Sequence, residues 1–192
     1  MFSETAQSND QITAGLVAGT QSTNAAKGGG VFHFQCFDKD GNLKWEESTH
    51  NLVVNEGLQN MNTQYFKGST YTAAFYLGLI TGPGSGTSYA ATDTLASHSG
   101  WTEYTDYSGS RKAVTFGTAS TADPSVISNS GSPSAFTISG SGGTVAGAFL
   151  CTVSSGTSGV LFSEADFQSP GDRVVVSGDT LNVTYTFSLD AA

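Results

Sequence analysis

The side chains with the widest chemical range in this chain are three histidines, two cysteines and sixteen carboxylates. His33, His50 and His98 lie far apart, none in an HExxH spacing and none beside a cysteine. The pattern that sets two imidazoles on one helix face to hold zinc is therefore missing. His33 alternates with phenylalanines and is expected on the outer face of a strand, while His98 falls in a polar loop. Cys36 and Cys151 form no CxxC pair and stand in strand-like apolar runs. A thiol in that setting behaves as a small hydrophobe. We read both as buried thiols of a protein assembled in a reducing cytoplasm, with a disulfide as the alternative. Despite 24 glycines there is no GxSxG elbow, GxGxxG fingerprint or GxxxxGK loop, and the glycines read as turn residues.

The acids offer a second route to chemistry. Asp38-Lys39-Asp40-Gly41-Asn42 resembles the opening of a calcium loop, where oxygens at alternate positions converge on a hard cation. Continued on that pattern, Leu43 stands where the obligatory glycine belongs and Thr49 where the bidentate glutamate belongs. A hairpin turn is the better reading. Hydrolysis of a glycosidic bond needs two carboxyl groups held about 5–10 Å apart, and sixteen acids on a β fold always allow some such pair. Glu46, Glu47, Glu103, Asp106, Glu164, Asp166 and Asp172 are nonetheless expected to be solvated groups on loops and sheet edges, where charge discourages unwanted strand pairing. Asn182-Val183-Thr184 has the form of a glycosylation acceptor but falls inside the strongest strand signal of the chain. The expectation is a protein without catalytic residues, metal or cofactor.

Charge and composition narrow the partners. Seven basic against sixteen acidic residues leave a net charge of −9 and a sequence pI near 4.4, which is no footprint for gripping phosphates. Neither nucleic acid nor an anionic membrane is an expected partner. The longest apolar run, Ala73 to Ile80, falls far short of the ~20 residues a membrane helix needs. The opening MFSETAQSND lacks the basic-then-apolar order of a leader peptide, so a soluble, uncleaved chain is expected. With 192 residues there is room for one ordinary domain and an arm. Only 12% of residues are charged, about half the usual share, while Gly, Ser and Thr abound. These are mediocre to poor helix formers, whereas Thr beside aromatic residues suits half-buried strands. The composition predicts an all-β fold.

Residues 1–30 carry only Phe2, Ile12, Leu16 and Val17 as sizeable apolar groups and end in Gly28-Gly29-Gly30. So little apolar surface does not offset the entropy of ordering the backbone. The segment reads as an extended, low-complexity N-terminal arm, either a disordered tail or one that orders along another subunit. Its four apolar residues are then candidate partner contacts. From residue 31 to 192 the chain reads as a single β domain. Phe32, Phe34 and Cys36 alternate with His33 and Gln35, and Leu43, Trp45 and Asn51-Leu52-Val53-Val54 continue the strand material. One helix is expected over Asn55 to Phe66, with Asn55 as cap and Leu58, Met61 and Tyr65 on one side. Ala73 to Ile80 suits a central strand covered on both faces. A long loop follows with Tyr89, Trp101, Tyr104 and Tyr107, aromatics that must either pack beneath it or face a partner. Strands are expected at 112–116, 135–139, 144–153, 159–162, 173–176 and 180–189. In the last, Leu181, Val183, Tyr185 and Phe187 alternate with Asn182, Thr184 and Thr186. The predicted core is Phe32, Phe34, Trp45, Leu52, Leu77, Phe149, Leu181, Val183, Tyr185 and Phe187. About eight to ten short strands imply a β-sandwich or jelly roll, with the short helix closing one edge or end.

Several segments taken as a set resemble the small structural proteins of tailed-bacteriophage virions. They are Asn51 to Leu58, Phe75 to Ile80, Asp93 to His98 followed by Gly100-Trp101-Thr102-Glu103, Arg111 to Gly117, Thr144 to Leu150, and Gly178 to Tyr185. The resemblance implies a virion component rather than an enzyme. The expected role is a capsid cement or decoration protein, made in the host cytoplasm, that binds the major capsid protein on the capsid exterior and self-associates as a dimer or trimer. The alternative is a tail, neck or head-fibre module that binds a host-surface glycan or receptor through the aromatic loop. A glycan-degrading jelly roll is a third reading.

Overall fold

The computed structural model describes residues 27–67, 73–82, 88–167 and 171–190. In chain order its elements are β1 (Lys27–Phe37), β2 (Leu43–His50), β3 (Leu52–Val53), α1 (Asn55–Lys67), β4 (Tyr76–Thr81), β5 (Thr102–Tyr104) and β6 (Lys112–Ala113). They continue with β7 (Ser125–Ser128), β8 (Ser134–Thr137), β9 (Gly143–Val145), β10 (Gly147–Cys151), β11 (Leu161–Asp166), β12 (Arg173–Val175) and β13 (Thr180–Asp190). The first sheet runs β2-β1-β13-β7, with β8 also on β13, and the second runs β3-β11-β10-β4-β5, with β6 also on β4. β12 and β9 form a small ribbon. The chain is an all-β sandwich with one short helix.

Period-two patterning decides which faces meet. β1 and β13 pair antiparallel from Lys27 opposite Asp190 to Phe37 opposite Thr180. This register sets Phe32, Phe34 and Cys36 beside Tyr185, Val183 and Leu181, all fully buried. They meet Leu77, Leu79, Ala148 and Leu150 of the second sheet. Burying a Leu or Phe side chain is worth ~1.5–3 kcal/mol, so the alternation of one strand fixes the register of the pair. The predicted core holds, with two residues at its margin: Trp45 packs edge-on against Phe167, and Leu52 is half-buried. Both thiols are buried and unpaired.

The second sheet is covered twice. Its outer face carries Ile80, Phe149, Cys151 and Leu161, buried beneath Leu95 and Trp101 of the segment between β4 and β5. The double cover explains why the 73–80 run is apolar without a break.

Four expectations change. β1 begins at Lys27, so Gly28-Gly29-Gly30 are ladder residues opposite Leu189, Ser188 and Phe187 rather than the end of an extended arm. The long β13 offers backbone partners that draw the glycines into the sheet. The helix forms at the expected place, but Asn55 is its first helical residue, and the Leu58 N–H bonds the Val54 carbonyl. Its contact with the sheet is made by Gly57, where a Cβ would stand 2.4 Å from the Phe162 carbonyl oxygen. With the start of the helix held that close, Met61 packs inward while Leu58 and Tyr65 stay exposed. Lastly, β5 and β7 come from stretches too short and too polar to show alternation. The Asp38–Asn42 turn is the expected hairpin: Gly41 takes φ +85° and the Asp38 carboxylate accepts the N–H groups of Asp40 and Asn42.

Leu181→Asp places an unpaired charge in this core and is expected to lower the unfolding free energy by ~3–5 kcal/mol. The neighbouring Asn182→Asp, on the half-exposed face, is expected to change it by less than about 1 kcal/mol. Denaturant titration checks both, and equal losses would put the strand phase off by one residue.

Candidate functional site

The segment over the second sheet is held by polar groups that come together only in three dimensions. Trp101 Nε1 donates to Glu164 Oε2 at 2.8 Å. The His98 ring stacks on the Trp101 indole with centroids 3.6 Å apart and planes 11° off parallel. Glu56, in the first turn of α1, accepts the N–H groups of Leu95 and Leu161 on one oxygen, at 3.1 and 2.7 Å. One carboxylate thereby ties the covering segment, the helix and β11 together. Asn55 donates to the Ala91 carbonyl.

Glu164 is fully buried, which corrects the expectation of a solvated acid. It lies opposite Phe149 in the ladder and shares that face with the residues under the cover. Desolvation pushes its pKa up to about 8, against the stabilising Trp101 bond, and the nearby Asp93 carboxylate raises it further by like charge. Its Oε1 finds no hydrogen-bond partner among the described residues, a position more tolerable for a neutral acid than for an anion. Burial, with the charge of Asp172, also raises Asp166, to about 6.

Other buried charges are staples too. Arg111, 7% exposed, makes a two-pronged bond to Glu103 at 2.9 and 2.8 Å. It also donates to the Val153 and Gly156 carbonyls and lies over the Phe149 ring. Glu103 is therefore paired and not a free loop acid. Glu47 pairs with Arg173, joining β2 to the β9–β12 ribbon, and Asp179 binds Lys44 and the Val176 N–H. Asp179 and burial together lift the Cys36 thiol to about 11, with burial the larger cause.

The aromatic residues proposed as partner contacts are mostly interior. Trp101, Tyr104 and Tyr107 are 3%, 5% and 5% exposed, so none of these rings is free to stack on a sugar. Trp101 serves the outer cluster, whereas Tyr104 and Tyr107 join the main core, the latter edge-on to Phe136. Tyr89 is half-buried against the outer cluster, and burial raises its pKa. Trp101 and Tyr89 pack inward because the apolar outer face of β4 and β10 needs a cover. Phe2, Ile12, Leu16 and Val17 lie outside the described residues.

The structure instead exposes an apolar groove of about 760 Å³ between α1 and one end of the sandwich. Among the described residues Met61, Tyr65, Phe66, Phe75, Ile127 and Leu189 give it its apolar lining. That size is within the range of small-ligand sites. Tyr65 and Phe66 are 83% and 77% exposed and meet edge to face. The adjacent Tyr65-Phe66 pair at the end of a polar helix was the available signal. Assigning Tyr65 to the packed side hid it.

No protein-family model, curated protein or solved structure matches this chain. The site must therefore be read from its own geometry. Glu164 and Arg111 are shielded from solvent, and their contacts position strands and loops.

The unfolded chain releases the Glu164 proton near pH 4.5, whereas the folded chain keeps it to about 8. Its contribution to stability is therefore fully present below pH 4.5 and is lost as pH rises toward 8, on the order of 5 kcal/mol. The Asp166 window closes near 6, so the fall from pH 6.5 to 8 is assigned to Glu164. Glu164→Gln keeps the acceptor for Trp101 and is expected to flatten this part of a Tm-against-pH curve. An unchanged slope would place the ionised form in the folded protein.

Proposed function

We propose that the protein is a structural component of a tailed-bacteriophage particle, a decoration or cement protein that binds the outer face of the major capsid protein lattice and stabilises the head. The observation that carries the reading is the outer face of the first sheet. His33 and Gln35 of β1, and Asn182, Thr184, Thr186 and Ser188 of β13, form a half-exposed surface of short or uncharged polar groups, edged by the Glu46 carboxylate of β2, which meets His33 and Gln35. Such a face can approach another protein closely with few ions to desolvate. Beneath it lies a two-layer module braced by Arg111–Glu103, Arg173–Glu47 and Lys44–Asp179, the kind of rigidity a shell clamp needs. The segments that resemble virion proteins fall on β3 with the start of α1, β4, the covering segment with β5, β9 with β10, and the entry to β13.

Repetition over a lattice converts modest contacts at each site into tight retention. Free strand edges, β2 among them, can add main-chain bonds to a neighbouring subunit, so self-association as a dimer or trimer belongs to the same proposal. So does residence on the capsid exterior after synthesis in the host cytoplasm.

The purified protein is expected to co-sediment with mature heads lacking it and to raise the temperature at which they release DNA. Thr184→Arg, on the half-exposed face, is expected to weaken retention about tenfold while shifting Tm little. Absence of the protein from isolated heads would end the assignment.

A further inference from the structure

We infer that the apolar groove between α1 and the sandwich end is the docking site for the chain's own N-terminal segment, residues 1–26, through Ile12, Leu16 and Val17. The inference is independent of the virion assignment. Lys27 pairs with Asp190, and Gly28 lies opposite Leu189, which lines the groove. The segment thus joins the domain at the groove's rim.

At this end of the domain β1 carries glycines, and the neighbouring strand's side chains close over them. Gly28 and Gly30 occupy the inward positions that Phe32, Phe34 and Cys36 fill further along. A Cβ at Gly28 would already stand 3.2 Å from the Phe187 ring and 3.5 Å from Leu189. From Phe187 a row of edge-to-face rings runs through Phe162 to Phe75 at the groove wall. The core therefore continues to the surface, and nothing described covers its end.

The chain before Lys27 has the matching chemistry. Ile12, Leu16 and Val17 are its main aliphatic cluster, set among small and polar residues, and its only charged side chains are Glu4 and Asp10. The ten residues from Val17 to Lys27 span up to ~33 Å when extended, ample to turn back from the rim onto α1. A short tether holds the cluster at an effective concentration in the millimolar range, so its own groove outcompetes a second copy at ordinary protein concentrations.

Disulfide trapping in the full chain tests this, since Cys36 and Cys151 are buried and leave a quiet background. Leu16→Cys with Asn62→Cys, exposed at the groove, is expected to close an intramolecular bridge at least about tenfold faster than Leu16→Cys with Lys39→Cys at the far hairpin. The product should run as a monomer on non-reducing gels. Tyr65→Glu, at a solvent-exposed position, should remove the preference while leaving Tm unchanged. Equal rates at the two sites, bridges formed only between copies, or a preference that survives Tyr65→Glu would overturn the inference.

Discussion

The pairing of β1 with β13 is the constraint on which the rest of the domain depends. It joins the first and last described strands over the full length of both, so the sandwich closes only when the ends of the domain have met. The buried rings of Phe32, Phe34 and Tyr185 lie along this seam. It also carries the polar network in which Asn51 accepts the Gly30 N–H and donates to the Tyr185 hydroxyl, which Ser163 reaches from the opposite sheet. Apolar area and satisfied polar groups thus pull on one register. A shift of one residue would forfeit both.

A second principle governs the charges. The chain has few basic groups, and three of them hold acids that are buried or partly buried. Lys44 and Arg173 each pair with an acid more than a hundred positions away, and Arg111 pairs with Glu103 across the turn between β5 and β6. A buried ion pair adds little net stability but strongly penalises arrangements that break it, so these pairs act as selectors of the correct loop positions. Glu164 is the exception. Among the described residues it has no cationic partner, and it persists by keeping its proton. The cover over the second sheet is therefore coupled to pH, whereas the inner core is mainly apolar, with its polar groups paired in the Asn51–Tyr185–Ser163 network.

Most of the core was legible in the sequence because alternation is a local signal. Leu181, Val183, Tyr185 and Phe187 announce their face without reference to any partner, and the unbroken 73–80 run announces burial on both. Glu164 was not legible. In Leu161-Phe162-Ser163-Glu164-Ala165-Asp166 a glutamate beside serine looks like an edge residue, and only the descent of Trp101 onto that strand makes it interior. The aromatic segment failed for the same reason: Trp101 and Tyr89 face inward because Ile80, Phe149 and Leu161 present an apolar surface beneath them, and Tyr104 and Tyr107 because they join the main core. Tyr65 misled in the opposite sense. Helical spacing placed it with Met61, but the close approach of Gly57 to Phe162 decided which side meets the sheet.

What the sequence determined by itself was the all-β class, the phase of the long strands, the hairpin at Asp38–Asn42 and the place of the single helix, because each follows from spacing between near neighbours. The tertiary structure alone decided which polar groups are buried, which loop aromatics lie inside and where the apolar groove opens. Those outcomes depend on residues 21 to 105 positions apart meeting at one point, as Glu56 meets Leu161 and Gly30 meets Asn51. Burial is a property of what lies on top of a residue, and no local pattern encodes that.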